Sequence, residues 1–326
     1  MGGAMREIPV LDLRRDGLES LAHQRPDLAH ELLAAGRGHL GAMPLAVLDH
    51  LSAAWAKRSD NPHHQAATDL AECFPPGIWF MNFCYEWGCT TGTSPDPCGQ
   101  GARLRRTLDW PFPAIGSTLV VAHANGPAGD FHAVTWPGYL GVITGMASGR
   151  FAIAINQAPL PLRLGRTLPV NWIIQRAGVW RSRALPPAQL LRRVFETAPD
   201  FQAARAMLRD TPIALPAIFT IAGTRPDELC MIERKEDAAL LHDGPQAAAN
   251  HWIGWNQPAR DRGNRSQDRR AAMLSLLNAP SGPFDWVAPP ILNKDTRLAM
   301  TANAATEQLS LRGYEGEKPV TADFHL

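Results

Sequence analysis

Residues 78–87 form an apolar, aromatic run that breaks at Gly88, and Cys89, Thr90, Thr91 and Gly92 follow directly. A thiol and two hydroxyls therefore stand at the first turn after a hydrophobic stretch. The next β-favouring segment, Arg105-Arg106-Thr107-Leu108-Asp109-Trp110, is near enough for a hairpin to fold it back onto the first. This pairing constrains the chain more than any other feature, because it brings Arg106 and Asp109 towards the Cys89 thiol. A guanidinium beside a thiol lowers its pKa, and a carboxylate can orient the group that carries the proton. Alternation along an ideal strand puts Arg106 and Asp109 on opposite sides, so a bulge or a strand end must bring both to one site. Arg105 competes for the arginine role, and the two charges could equally form a cross-strand surface pair of little energetic weight.

The chain has 326 residues, enough to bury one large core or two modest ones. Its 45% hydrophobic and 19% charged residues suit a soluble globular protein. A formal net charge of +1 gives no electrostatic case for nucleic acid. No apolar run reaches the length of a membrane span, and the N-terminus lacks the apolar centre of a secretory signal, so the expectation is a cytoplasmic protein. The five cysteines (Cys73, Cys84, Cys89, Cys98, Cys230) are odd in number and irregularly spaced, which argues against a disulfide framework. No Cys-x-x-Cys or His-Glu-x-x-His motif is present, and no metal or cofactor is expected.

Residues 6–75 read as helical. Leu45, Leu48, Leu51 and Trp55 form one broad apolar stripe, and an earlier helix over residues 18–35 is interrupted at Pro26. These helices could meet a lipid surface as well as pack on a core. Strands are expected at 103–110, 117–123, 132–136, 139–144 and 151–156, separated by Gly and Pro turns as in an antiparallel meander. Residues 82–85 read as an apolar strand with Cys84 in the core, and Cys98 as exposed in a Pro-Cys-Gly turn. Phe151-Ala152-Ile153-Ala154-Ile155-Asn156 alternates large and small side chains, so one face packs closely and the other carries bulk. Helices follow at 169–180, 187–197 and 201–208, strands at 217–222, 228–233 and 246–250, a helix at 267–278, and strands at 298–304 and 307–312. This order predicts an α+β layering of sheets and helices.

The Cys-Thr pair, its turn and the Arg-Thr-Leu-Asp-Trp strand resemble the N-terminal-nucleophile cysteine amidohydrolases, the group of acid ceramidase and N-acylethanolamine acid amidase. Bile salt hydrolase and penicillin V acylase are more distant members. The resemblance continues through residues 136–146 (Gly-Tyr-x-Gly-x-x-Thr-Gly), 151–157, 213–234, 291–294 and 298–302. It implies a four-layer αββα sandwich with an N-terminal helical lobe. It also implies a self-inflicted cut between Gly88 and Cys89, leaving residues 1–88 as a small subunit and 89–326 as a catalytic domain that stay associated.

On the same resemblance, Cys89 is nucleophile and, through its freed α-amino group, general base. Arg106 lies beside the sulfur, and Asp109 holds the α-amino group. Asn250 is either an oxyanion donor or a buried amide capping a strand end. Relatives of this type carry Asn-Tyr-Asp there, whereas this chain has Asn250-His251-Trp252. Arg269 is similar to a second arginine of the site, or is helix surface charge. Trp110, Trp136, Tyr139 and Leu140, with Phe112, Val142 and Ile143, line an acyl pocket or belong to the core. His123, His132 and His251 offer a rival Cys/His pairing. The implied substrate is a hydrophobic N-acyl amide. Acyl transfer, a bile-salt or penicillin-V type of acylase, and an uncleaved lipid-binding scaffold are the alternatives.

Overall fold

The computed structural model describes residues 5–84, 86–97, 99–163, 168–279 and 282–326. Two stacked sheets form its centre. The first has eight strands in the order Val10–Asp12, Val120–Gly126, Gly129–Thr135, Thr144–Ala147, Phe151–Gln157, Ala217–Ala222, Leu229–Arg234 and Ala239–Asp243. The second runs Gln246–Ala248, Gly88–Pro95, Ala102–Asp109, Thr296–Asn303, Gln308–Glu315 and Lys318–Pro319, with Phe324–His325 also on Gln308–Glu315. Pairing is antiparallel except at Val10–Asp12, which lies parallel to Val120–Gly126. Helices Pro187–Thr197 and Phe201–Asp210 cover the first sheet, and helix Ser266–Leu276 covers the second. The expected α+β, αββα layering is the one observed.

The large–small pattern of Phe151–Gln157 explains how closely the sheets approach. Phe151 turns towards the helix side, with its ring 5.4 Å from that of Phe195. Ala152, Ala154 and Asn156 face the other sheet. On that inner face Thr144 reaches Met300, and Thr91 Oγ1 lies 2.8 Å from Thr220 Oγ1, bonds that cross between the sheets. Strands such as Ala102–Asp109 are buried along their whole length because both faces are covered.

Before the cysteine strand come helices Leu21–Gln24, Pro26–Leu40, Ala42–Ala56, His64–Cys73 and Ile78–Phe83. Pro26 opens its helix at the first position, where its missing N–H has no cost, instead of interrupting one. The N-terminal region is not wholly helical, however. Val10–Asp12 is an edge strand of the first sheet, and Arg6 bridges to Thr321. Three residues bonded on one side leave no periodic trace in a sequence. Residues expected as the strand 82–85 begin instead as the end of helix Ile78–Phe83, whose Trp79 and Phe83 rings stack one turn apart at 6.0 Å.

Residues 139–143 do not extend the strand that starts at Thr144. Asn82 takes the strand partner's place there: its Oδ1 accepts from Leu140 N at 2.7 Å, and its Nδ2 donates to Gly138 O at 2.7 Å. Gly138 has φ 90, the left-handed turn the chain needs at that point. No described helix is long and apolar enough to cross a membrane.

Candidate active site

Gly88–Pro95 and Ala102–Asp109 pair with Gly88 opposite Asp109, Cys89 opposite Leu108 and Thr91 opposite Arg106. Side chains of opposed residues share a face, so Cys89, Leu108 and Arg106 all point between the sheets. Arg106 Nη2 donates to Cys89 Sγ at 3.2 Å, and Sγ lies 3.5 Å from Ile155 O on the facing sheet. Arg105 has the opposite parity: it points outward and donates to Leu276 O at 2.6 Å, holding the end of the covering helix. The choice between the two arginines is therefore a matter of strand parity.

Asp109, three residues from Arg106, faces outward as alternation requires. It meets Arg269 of the covering helix, with Nη1 3.3 Å from Oδ2, and accepts from Thr296 Oγ1 at 3.0 Å. Arg269 is buried, not surface charge. It donates to Cys89 O, to Thr90 Oγ1 at 2.8 Å and to Asn250 Oδ1 at 2.9 Å. The register of Ala102–Asp109 with Thr296–Asn303 shifts between Thr296 and Leu298, so the irregularity lies beside Asp109 at the strand end.

Asn250 joins these two faces. Its Oδ1 accepts from Cys89 N at 2.8 Å, and its Nδ2 donates to Gln157 O at 2.8 Å. In this uncut chain the Cys89 nitrogen is thus held by Asn250, while Asp109 engages Arg269 and Thr296. Asn250 N donates to Ser266 Oγ at 2.8 Å, and Arg262 N donates to Asn250 O at 3.1 Å. The strand expected over 246–250 stops at Ala248, because Asn250 turns away to make these bonds. Gly263, at φ 65, packs against the residue before the thiol: a Cβ there would stand 3.1 Å from Gly88 Cα and 2.9 Å from Arg269 Nη2.

The electrostatics reverse one expectation. The Cys89 thiol is fully buried, and burial pushes its pKa up, although Arg106 and Arg269 pull it down and Asp109 adds to the rise. Asp109 is likewise pushed up by burial against the pull of Arg269. The guanidinium is in place, but loss of water outweighs it. Cys84 and Cys230 are buried, with pKa values raised to about 12 and about 11 chiefly by burial, and Cys73 is exposed. Cys98 lies outside the described residues.

Two cavities reach this region. One of about 410 Å³ is lined mostly by apolar groups, among them Leu48, Leu51, Trp55, Phe80, Phe83, Trp110 and Phe112. The other, of about 460 Å³, touches Gly88, Asp109, Gln157 and Arg262. Glu86, Pro111 and Trp172 border both. Of the four expected acyl contacts, Trp110 lines the apolar cavity, whereas Trp136, Tyr139 and Leu140 are buried and line neither. Trp136 packs edge-on against Trp110 at 5.7 Å, with Tyr139 4.8 Å behind it. Val142 and Ile143 are also core.

Sequence reading passed over Glu86, Gln157 and Ser266. Glu86 accepts from Trp172 Nε1 at 3.0 Å, from Arg176 at 2.8 Å and from Arg262, anchoring the segment just before Gly88. A lone acid between aromatics was the available signal. The histidines do not approach the thiol: His123 and His132 stack on each other at 4.5 Å on the first sheet, and His251 Nδ1 lies 2.8 Å from Ser266 Oγ. Among the described residues no three His, Cys, Asp or Glu side chains are grouped to hold a metal ion.

No protein-family model matches the sequence. Acid ceramidase of Pan troglodytes is 28% identical over 178 residues, which cover 51% of this chain and 43% of that protein. The N-acylethanolamine-hydrolyzing acid amidase of Cavia porcellus is 24% identical over 317 residues, or 93% of this chain and 85% of that one. This chain is thus similar in sequence to the acid ceramidases and N-acylethanolamine-hydrolyzing acid amidases. In its match to the chimpanzee ceramidase it spans less than half of the relative's length. The fold agrees: the Caenorhabditis elegans N-acylethanolamine-hydrolyzing acid amidase ortholog superposes with a TM-score of 0.51 at 16% identity, over 67% of this chain and 93% of that one.

Proposed function

We propose that this ceramidase relative is an amidohydrolase of hydrophobic N-acyl amides, activated by its own cut between Gly88 and Cys89. The observation that carries the reading is the setting of Cys89. Its sulfur is 3.2 Å from Arg106 Nη2 and its nitrogen 2.8 Å from Asn250 Oδ1, with Gly88 immediately before it. In the cut, Sγ attacks the Gly88 carbonyl and the peptide nitrogen leaves with a proton. Water then hydrolyses the thioester. The products are a carboxylate on Gly88 and a free α-amino group on Cys89.

In turnover, that amino group (reference pKa about 7.7–8.0) takes the thiol proton as the sulfur attacks the substrate carbonyl. Arg106 stabilises the thiolate, and the Asn250 amide stabilises the oxyanion through the N–H not given to Gln157. Asp109 and Asn250 together hold the ammonium, with Arg269 fixing both. The ammonium returns its proton to the leaving amine, and water releases the acid from the thioester.

The acyl chain is assigned to the apolar cavity beside Trp110, and the ceramide- or N-acylethanolamine-like head to the cavity at Gly88. Exposed Met43 and Val47 of helix Ala42–Ala56, and Trp172 and Ile173 of helix Leu168–Arg181, support transient contact with a lipid surface. Fragments 1–88 and 89–326 stay together in this reading. The Val10–Asp12 strand belongs to the first sheet, and Leu28, Leu32 and Leu33 are in the shared core.

The test is intact-mass analysis during incubation, beside a panel of N-acyl amides. Wild type should give two fragments split before Cys89 and release free acid, and Cys89→Ala should do neither. An active Cys89→Ala variant, or an active protein cut elsewhere, would falsify the reading.

A further inference from the structure

Asn250 is gripped from its backbone as well as its side chain. Its N–H points at Ser266 Oγ, 2.8 Å away, and that same Oγ is 2.8 Å from His251 Nδ1. Ser266 is buried and opens the helix that carries Arg269 one turn later. Two bonds to Asn250 therefore come from one rigid element: Ser266 to its backbone and Arg269 to its side chain.

One direction among these bonds is fixed by chemistry. A hydroxyl has one proton and two lone pairs, and an amide N–H can only donate. Ser266 Oγ must therefore accept from Asn250, which leaves its proton for His251 Nδ1. That proton finds an acceptor at Nδ1 when the nitrogen is bare, that is when the ring is neutral with its own proton on Nε2. In that state the order is Asn250 N–H to Ser266 O–H to His251 Nδ1.

We infer that Ser266 is a positioning residue for Asn250, and that neutral His251 fixes the direction of the Ser266 hydroxyl. The inference rests on the amidase reading above. Asn250 must present one end of a short amide to the Cys89 nitrogen and the other to the oxyanion, and displacement of a reacting group by about 1 Å can lower a rate about 100-fold. Protonating His251 breaks the order. Nδ1–H and Asn250 N–H would then both aim at Oγ, and the Ser266 proton would lose its acceptor on the ring.

The groups facing the ring come from three directions. Arg269 and Arg270 on the helix oppose its protonation, while Asp261 in the preceding loop and Glu233 on the first sheet favour it. Burial acts more strongly than any of these and keeps the ring neutral below its ordinary titration range.

Steady-state kinetics and ¹⁵N NMR of histidine-labelled protein test this together. Ser266→Ala should lower kcat by about 10- to 100-fold with KM changed less than about twofold, and Ser266→Thr, which keeps the hydroxyl, should restore most of it. Wild-type kcat should fall on acidification as His251 takes a proton, and His251→Phe should be slow at every pH without that acid limb. The NMR spectrum should show an unprotonated, hydrogen-bonded Nδ1 at neutral pH that changes in Ser266→Ala. Wild-type kcat in folded Ser266→Ala, or a protonated Nδ1 at neutral pH, overturns the inference. If the spectrum shows the bare Nδ1 but wild type neither cuts itself nor hydrolyses any amide, the amidase reading falls and the hydrogen-bond order stands.

Discussion

Asn250 Oδ1 and the Cys89 nitrogen, 161 positions apart in the chain, are held 2.8 Å from each other at the meeting of the two sheets. The atom that would become the general base after the cut is thus already gripped before it. Arg269 binds the same Oδ1 from the other side, so one amide oxygen serves a strand and a helix.

The Asn250 side chain should affect rate and stability at once. Loss of a preorganised oxyanion donor lowers kcat by about 100- to 1,000-fold. Asn250→Ala also strands the buried N–H of Cys89 and one donor of Arg269, a loss of about 1–3 kcal/mol in stability. Thermal melts and single-turnover acylation on the same sample check both. A normal acylation rate in the folded fraction would remove Asn250 from the chemistry.

The two adjacent arginines should separate cleanly. Arg106→Gln should abolish self-cleavage and turnover, because it removes the guanidinium that donates to the sulfur. Arg105→Gln should keep full activity and instead lower the melting temperature, since it frees the Leu276 carbonyl at the end of the covering helix. Activity lost in Arg105→Gln and retained in Arg106→Gln would reverse the assignment.

At Gly263 a methyl group would press on Gly88 Cα and Arg269 Nη2 while adopting φ 65. Gly263→Ala should therefore slow the cut before Cys89 by moving Gly88, with the sheets intact by circular dichroism. Gly244→Ala, also at positive φ but with open space around its Cβ, is the control for backbone strain alone. Equal cleavage rates in the two variants would show that contact with Gly88 does not matter.

Acid should destabilise the fold through its histidines. His63 and His132 have pKa values lowered to about 4, in each case first by burial, with Arg192 adding to it at His63 and His123 at His132. A base whose folded pKa is depressed binds fewer protons folded than unfolded, so stability falls as pH drops from about 6.5 towards about 4. Denaturant midpoints of wild type and His132→Phe at pH 7 and pH 4.5 measure this. The variant should lose less on acidification, and equal losses would mean that His132 contributes nothing.

The cysteine–arginine hairpin was legible in the sequence because it is local. Gly88 breaks the apolar run, few residues separate the strands, and the resulting register puts Cys89 beside Leu108 and one step from Arg106. The large–small alternation of Phe151–Gln157 likewise announced a closely packed inner face. Parity was not legible: which of Arg105 and Arg106 faces the thiol depends on which side of the strand receives the other sheet. The buried position of Arg269 depends on the helix laid across that strand, which no spacing along the chain specifies. Nor could composition report that burial would outweigh a neighbouring guanidinium at Cys89, because desolvation is set by everything packed around the sulfur. The edge strand Val10–Asp12 is the extreme case: its conformation follows from a partner more than a hundred residues away, not from the three side chains themselves.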